Sequence, residues 1–345
     1  MRLPLIICVV LHFLVQVVLT ERYLFAVGKV WFKTKSKKSV KDVTYRNVAY
    51  IDQHLFPNVV NIRVWTKQMR LYEGAVRNLP KLEKVRLKEC AIRRIPPGTF
   101  MNLPVLRVVH MQDNDVTKIE NGVFNYLPIE VLWLQRNAIE VIESEAFDNM
   151  PNLHTIKLNE NQLMEWDNKW FSNTPKLTHL FFSKNQISEL PARAFANIQT
   201  SHKINGTELV DTSIYLAMNE ITEIHPEAFH GIDSLYRLRL RKNSITKIDR
   251  YLAHMTELHI LNLDKNNLSE IDRRAFQNMN TMSELNLARN RLLCLPYEIA
   301  SLASKVNVTG NKKFKCDCLT NLRDKLDENR LDNKIIMEKR SCPSN

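Results

Sequence analysis

From residue 59 to residue 311 the hydrophobic positions recur with a period close to 24. Aligning the chain on one asparagine column, Asn114, Asn137, Asn161, Asn185, Asn219, Asn243, Asn266 and Asn290 are separated by 23, 24, 24, 34, 24, 23 and 24 residues. Cys90 occupies the same slot one period earlier, and Lys67 and Asn311 fill it in degenerate first and last rungs. Three and five residues before the column stand apolar pairs such as Val85 and Leu87, Leu132 and Leu134, Ile156 and Leu158, Leu238 and Leu240. That alternation predicts short strands with every second side chain directed inward, over 108–112, 131–135, 155–159 and 237–241 among others. Ten residues after the column comes phenylalanine at positions 100, 124, 147, 171, 195, 229 and 276, predicting a buried spine on the side away from the strands. One rung cannot bury its own apolar edge, so rungs must stack and their strands must line up as a parallel sheet. The asparagine should turn inward where the chain leaves the strand, its amide pairing with backbone groups of the turn. The expected fold class is an α/β solenoid of about ten or eleven rungs, with a curved parallel sheet on the concave face and short helical or extended turns on the convex face.

This register resembles the leucine-rich repeat in its 24-residue form, as in Toll-type receptors, Slit and secreted arthropod immune proteins. The resemblance implies a secreted recognition or adaptor protein. Four segments follow: 1–20 as a signal peptide, 21–58 as a cysteine-free N-terminal cap region, 59–311 as repeats, and 312–345 as a C-terminal cap. Many extracellular relatives begin with a cysteine cluster that residues 21–58 lack. The basic stretch from Lys33 to Lys41 is expected to be flexible, with Val48 to Val60 an incomplete cap rung. At the other end Phe314-x-Cys316-Asp317-Cys318 and Cys342-Pro343 resemble the family's cysteine flank, with Leu319, Leu322, Leu326 and Leu331 allowing a helix between them. Likeness to that flank assigns Cys342 to Cys316; the flank's usual fourth cysteine is missing. Cys294 follows its asparagine by four residues, and Cys316 and Cys318 follow Asn311 by five and seven. Rungs ~4.8 Å apart place them within the ~4.4–6.8 Å Cα separation of a disulfide. Cys294 is therefore expected to pair with Cys318, the competing outcome being a bridge to another chain. Cys90 is expected to be a structural filler of the asparagine slot.

Leu3 to Leu19 is apolar but for His12 and Gln16, follows Arg2, and precedes Val18-Leu19-Thr20, a small-residue cleavage pattern. This reads as a secretory signal, the rival reading being a retained membrane anchor; no other stretch is apolar for long enough to span a bilayer. The expected product is extracellular, without stable membrane insertion. The net charge of +12 favours anionic partners such as sulfated glycans or acidic proteins, and the secretory route disfavours nucleic acid. Outside the signal there are five cysteines, an odd number that leaves a free thiol or a bond within a homo- or hetero-oligomer.

Residues two, four and six before the asparagine column face outward on the concave side. They include Arg63 and Trp65, then Lys84, Arg86 and Lys88, then a row of His110, Trp133, Lys157, Phe181 and Tyr215, and Arg237, Arg239 and Arg241 on one strand. Such aromatics cannot reach the core, and aromatic and arginine side chains dominate protein interfaces; stacking among themselves is the competing explanation. The candidate ligand residues are Trp133, Phe181, Tyr215, Arg237, Arg239, Arg241, His110, Lys157 and Arg86, with an extracellular protein or anionic glycan as partner. A matrix glycan-binding component and a subunit of a disulfide-linked complex are the alternatives. The 34-residue spacing implies an insertion of about ten residues after Ile198, carrying the glycosylation acceptor Asn205; Asn267 and Asn307 are two more. No nucleophile elbow, zinc-binding helix, phosphate loop or metal-spaced Cys/His cluster occurs, and only 7 glycines are present. No catalytic residue, metal or cofactor is expected.

Overall fold

The computed structural model describes residues 23–36, 39–198, 203–204, 208–209, 211–280, 282–328 and 335–336. Its backbone is one 14-stranded sheet in which strands follow sequence order from Val59–Thr66 onward. Lys84–Arg86, Val108–His110, Val131–Trp133, Thr155–Lys157, His179–Phe181, Ser213–Tyr215 and Ser234–Arg239 then pair in parallel, each with the next. Glu257–Asn262, Met282–Asn286 and Ala303–Asn307 continue the series. Several strands are shorter than the sequence pattern suggests, three residues instead of five.

The cause is the turn that follows. The residue before each asparagine takes a left-handed conformation: Asp113 (φ 60), Arg136 (φ 54), Glu160 (φ 58), Lys184 (φ 60), Lys242 (φ 54) and Lys265 (φ 58). Single non-glycine residues there cost about 1–2 kcal/mol, so something must hold them. The asparagine does. Asn161 donates from Nδ2 to Leu134 O (3.1 Å) and Leu158 O (3.0 Å), while its Oδ1 accepts from the Ile139 N–H (3.0 Å). Asn185, Asn243 and Asn290 repeat the pattern, each tying its own turn to the preceding rung. Cys90, fully buried, fills the slot with a thiol that donates to Val64 O (3.5 Å) and Lys88 O (3.3 Å), and its own backbone N–H is accepted by Asn114 Oδ1 at 2.9 Å. Burial pushes its thiol up to about 12.

All seven phenylalanines of the spine are buried. Phe100, Phe124, Phe147 and Phe171 stack in sequence at 5.8–6.3 Å, and Phe195 stacks on Phe229 at 4.9 Å. Between the two runs Trp166 bridges, 6.4 Å from Phe171 and 4.7 Å from Phe195. Trp170 lies parallel to Phe182 beside it. In the rung after Phe229 the spine position falls to Tyr251, whose ring is buried 6.2 Å away. The convex side is closed by two-residue strand pairs and by 3-10 turns at Arg250–Leu252 and Arg273–Phe276. Within the 34-residue spacing, Lys203–Ile204 and Glu208–Leu209 pair antiparallel.

The N-terminal end corrects two expectations. Phe25–Thr34 and Ser39–Val48 form an antiparallel hairpin, and its first strand pairs antiparallel with Val59–Thr66. Residues 33–34 and 39–41 of the basic stretch are therefore strand, with a turn at 35–36, and the sheet is mixed at this edge. Alternation explains the second half of the first strand: Val30 is buried, and Phe32 and Tyr45 pack on Phe56 at 5.5 and 5.3 Å, while Lys29 and Lys33 face outward. At the other end a helix spans Cys316–Glu328, with Leu322 buried against the last rung. Cys294 and Cys318 are joined by a disulfide with a Cα separation of 5.6 Å. Cys316 is also disulfide-bonded; Cys342 and Leu331 lie outside the described residues, as does the signal segment.

Candidate functional site

Parallel register puts equivalent positions of successive rungs side by side. Arg63, Arg86, His110 and Trp133 are consecutive partners across the sheet. Lys157, Phe181, Tyr215, Arg239, Asn262 and Asn286 continue the same row. With neighbouring strands ~4.8 Å apart, the side chains from His110 to Arg239 contact one another in turn. The His110 and Trp133 rings lie 4.5 Å apart. Lys157 Nζ sits over Trp133 at 4.1 Å and over Phe181 at 5.2 Å. Phe181 and Tyr215 stack at 4.4 Å with their planes 7° apart, and the Arg239 guanidinium lies 5.4 Å over Tyr215. From His110 to Arg239 the row is thus a continuous stack of rings and cations, so the aromatics do pack on one another while Trp133, Phe181 and Tyr215 stay half-buried, the Trp133 Nε1 being enclosed without a hydrogen-bond partner among the described residues.

Charge is distributed unevenly across the face. Cations toward the rims are neutralised: Arg136 and Lys88 by Asp113, Lys184 by Glu160, Arg107 by Glu130 through a two-pronged pair. Asp113 is held below the usual carboxylate range, chiefly by its hydrogen bond from Arg136. Arg241 belongs to this group. Its Nε lies 2.7 Å from Asp264, a carboxylate from the next rung, so of the three arginines on this strand Arg241 is neutralised. Arg237 donates from Nη1 to the Tyr215 hydroxyl at 2.9 Å. Among the described residues no carboxylate lies within ion-pair distance of Arg86, Lys157, Arg237 or Arg239. Cation–π contacts, each worth ~0.5–2 kcal/mol, hold Lys157, Arg237 and Arg239 instead.

His110 is the most enclosed member, only 8% exposed. Burial, then Arg86, Lys84 and Lys157, push its pKa down to about 4, so the imidazole is neutral at pH 7. Arg86 is itself lowered, by burial and then by Arg63. Trp133, Lys157, Phe181 and Tyr215 are half-buried and Arg239 is exposed. The row from Arg86 to Arg239 thus contains seven of the nine candidate residues; Arg237 adjoins it and Arg241 is engaged at the rim.

Of the glycosylation acceptors, Asn205 lies outside the described residues. Asn267 is half-buried beside the asparagine column, and Asn307 Oδ1 accepts from both the Thr309 N–H and its hydroxyl at the sheet end. A cleft of about 580 Å³ outside the sequence expectations lies on the turns entering the strands, lined by Asn149, Pro151, Asn173, Pro175 and Asn197. Tyr126 also lines it, 79% exposed and at φ 63 where neighbouring rungs have asparagine. The signal for it was present, an aromatic breaking the asparagine positions 78, 102, 149 and 173. On the convex side Glu140, Glu143, Glu145, Glu165 and Asp167 line a groove of about 920 Å³. No group of three or more His, Cys, Asp or Glu able to hold a metal occurs among the described residues. Nor is any described helix long and apolar enough to cross a membrane.

Comparison with known proteins follows the same lines. Lumican of Gallus gallus is 33% identical over 178 residues, 48% of this chain and 51% of lumican. Keratocan of Gallus gallus is 26% identical over 187 residues, 52% of this chain and 42% of keratocan. The chain thus spans about half the length of the curated relatives it matches. Among solved structures, the leucine-rich repeat domain of APL1B superposes with a TM-score of 0.54 at 18% identity, covering 77% of this chain and 84% of that one. A chain from the octameric complex of Latrophilin 3, Unc5D and FLRT2 superposes with a TM-score of 0.58 at 18% identity, covering 82% and 91%. The family described as Leucine rich repeat matches residues 128–187, 152–201, 212–268 and 256–304, and the BspA type Leucine rich repeat region matches residues 27–139. With these matches covering most of the sequence between residues 27 and 304, the chain belongs to the leucine-rich-repeat proteins.

Proposed function

We propose that this chain is a secreted recognition protein that binds an extracellular protein or other anionic ligand through the outer face of its sheet. One observation carries this reading: the row from Arg86 to Arg239 holds half-buried aromatic rings and cations with no carboxylate partner. Unneutralised cations fixed by ring faces need no rearrangement before meeting an anion, which lowers the ordering cost of association. Support for the extracellular setting comes from lumican and keratocan among its relatives and from the Cys294–Cys318 disulfide, since stable disulfides belong to oxidising compartments. The solved complex of FLRT2 with Latrophilin 3 and Unc5D shows the same fold in a protein assembly, and extending that kind of partner to this chain is part of the proposal.

The test is a comparative capture from extracellular fluid with the wild-type chain and a Trp133→Ala, Arg239→Ala double variant as baits. The reading expects a partner retained by the first and lost by the second, each single change weakening affinity by at least ~1–2 kcal/mol. Equal retention by both baits would move the site to a rim or the convex side. Strong retention on heparin that falls steeply with salt would favour the matrix glycan-binding alternative.

A further inference from the structure

The three cations of the central row are evenly spaced. Arg86, Lys157 and Arg239 each stand three strands apart, two aromatic positions filling each interval: His110 with Trp133, then Phe181 with Tyr215. At ~4.8 Å per strand the cations repeat about every 14 Å. The ring faces are spoken for. Trp133 lies between His110 and Lys157, Phe181 between Lys157 and Tyr215, and Tyr215 between Phe181 and Arg239. No face in this stack is left for a sugar ring to lie on, and what the rings offer a ligand is the uncharged, largely apolar remainder of their half-buried surface. A uniformly charged polyanion would set half its charges against uncharged imidazole, indole and phenyl surfaces. A chain alternating acidic and apolar side chains would not.

We infer that the ligand of this face is an extended acidic polypeptide segment crossing the strands, with carboxylates four residues apart and apolar side chains midway between them. An extended chain advances ~3.4 Å per residue, so four residues span about 14 Å and side chains two apart share one face. Carboxylates then meet Arg86, Lys157 and Arg239 in turn, and the apolar side chains meet the Trp133 and Phe181–Tyr215 surfaces. The inference rests on the proposed binding role of this face and adds to it the class and spacing of the ligand.

The probe is the nonapeptide acetyl-Glu-Ser-Leu-Ser-Glu-Ser-Leu-Ser-Glu-amide, fluorescently labelled and titrated with the full chain at low ionic strength. A control peptide of the same composition places its glutamates three residues apart. The first should bind at least tenfold more tightly than the second. Arg86→Ala, Lys157→Ala and Arg239→Ala should each weaken it about fivefold while the chain still unfolds in one cooperative transition, and Lys157→Arg should restore it. Equal affinity for the two peptides overturns the inference, as does a heparin oligosaccharide that binds more tightly than the spaced peptide and loses affinity at the same three positions. If neither peptide binds while a natural partner still depends on Trp133 and Arg239, the spacing fails and the binding face stands.

Discussion

Asn161 shows how one residue type sets a backbone. Its three hydrogen bonds close a turn whose preceding residue, Glu160, is left-handed. Asn161→Ala leaves one N–H and weakens two carbonyl contacts in a buried site, and should cost about 2–4 kcal/mol in urea unfolding. Cys90 is the exception that keeps the slot without the amide, and its enclosed thiol, held near 12, should resist alkylation until the chain unfolds. His110 makes a pH-dependent contribution. Its imidazole titrates near 4 in the folded protein, below the ordinary 6.5. Above about pH 6.5 it is neutral in both states and costs nothing. As pH falls from 6.5 toward 4 the unfolded chain takes up the proton first, so stability is lost across that window. With allowance for solvent screening, the wild type should lose about 1–2 kcal/mol more than His110→Phe between pH 7 and pH 4.5. Parallel losses in the two proteins would show that His110 is not held neutral by its surroundings.

Elements in this fold are short and derive their stability from stacking, so the spine and the end caps matter most. Phe147, stacked between Phe124 and Phe171, should cost about 3–5 kcal/mol when replaced by alanine. Tyr251 behaves differently. It substitutes for phenylalanine in the spine, but its hydroxyl is buried without a hydrogen-bond partner among the described residues, and burial raises its pKa. Tyr251→Phe should therefore leave stability unchanged or raise it by up to ~1–2 kcal/mol; a clear destabilisation would reveal a partner for the hydroxyl. The C-terminal cap is tied by Cys294–Cys318 across 24 residues of sequence. Closing a loop of that length contributes about 3–4 kcal/mol in the chain-entropy account. Cys318→Ser should lower the unfolding midpoint accordingly and release Cys294 as a free thiol in non-reducing peptide mapping.

At the scale of the whole molecule, the repeat and its inward-facing residues were legible because a period of 24 repeats one local solution many times, and each copy corrects ambiguity in the others. The N-terminal hairpin was hidden because its strands occur once. Its alternation of Val30 and Phe32 with Lys29 and Lys33 has no second copy to fix a register, and charge there reads as looseness. The outward row could be enumerated from the asparagine column, yet two features needed coordinates. One is that Asp264 of the following rung neutralises Arg241; the other is that Lys157 is held between Trp133 and Phe181. Both depend on which way a flexible side chain leans, which spacing does not determine. The Tyr126 cleft escaped notice because the rim turns carry no role in the core pattern.

The account's central claim is that the row from Arg86 to Arg239 is the ligand face, and a hydrogen-exchange footprint of the chain with and without its bound partner tests it most directly. The claim predicts added protection at the strands Lys84–Arg86, Val108–His110, Val131–Trp133, Thr155–Lys157, His179–Phe181, Ser213–Tyr215 and Ser234–Arg239. Protection confined to the rim around Tyr126 or to the convex groove at Glu140–Asp167, with these strands unchanged, would contradict it.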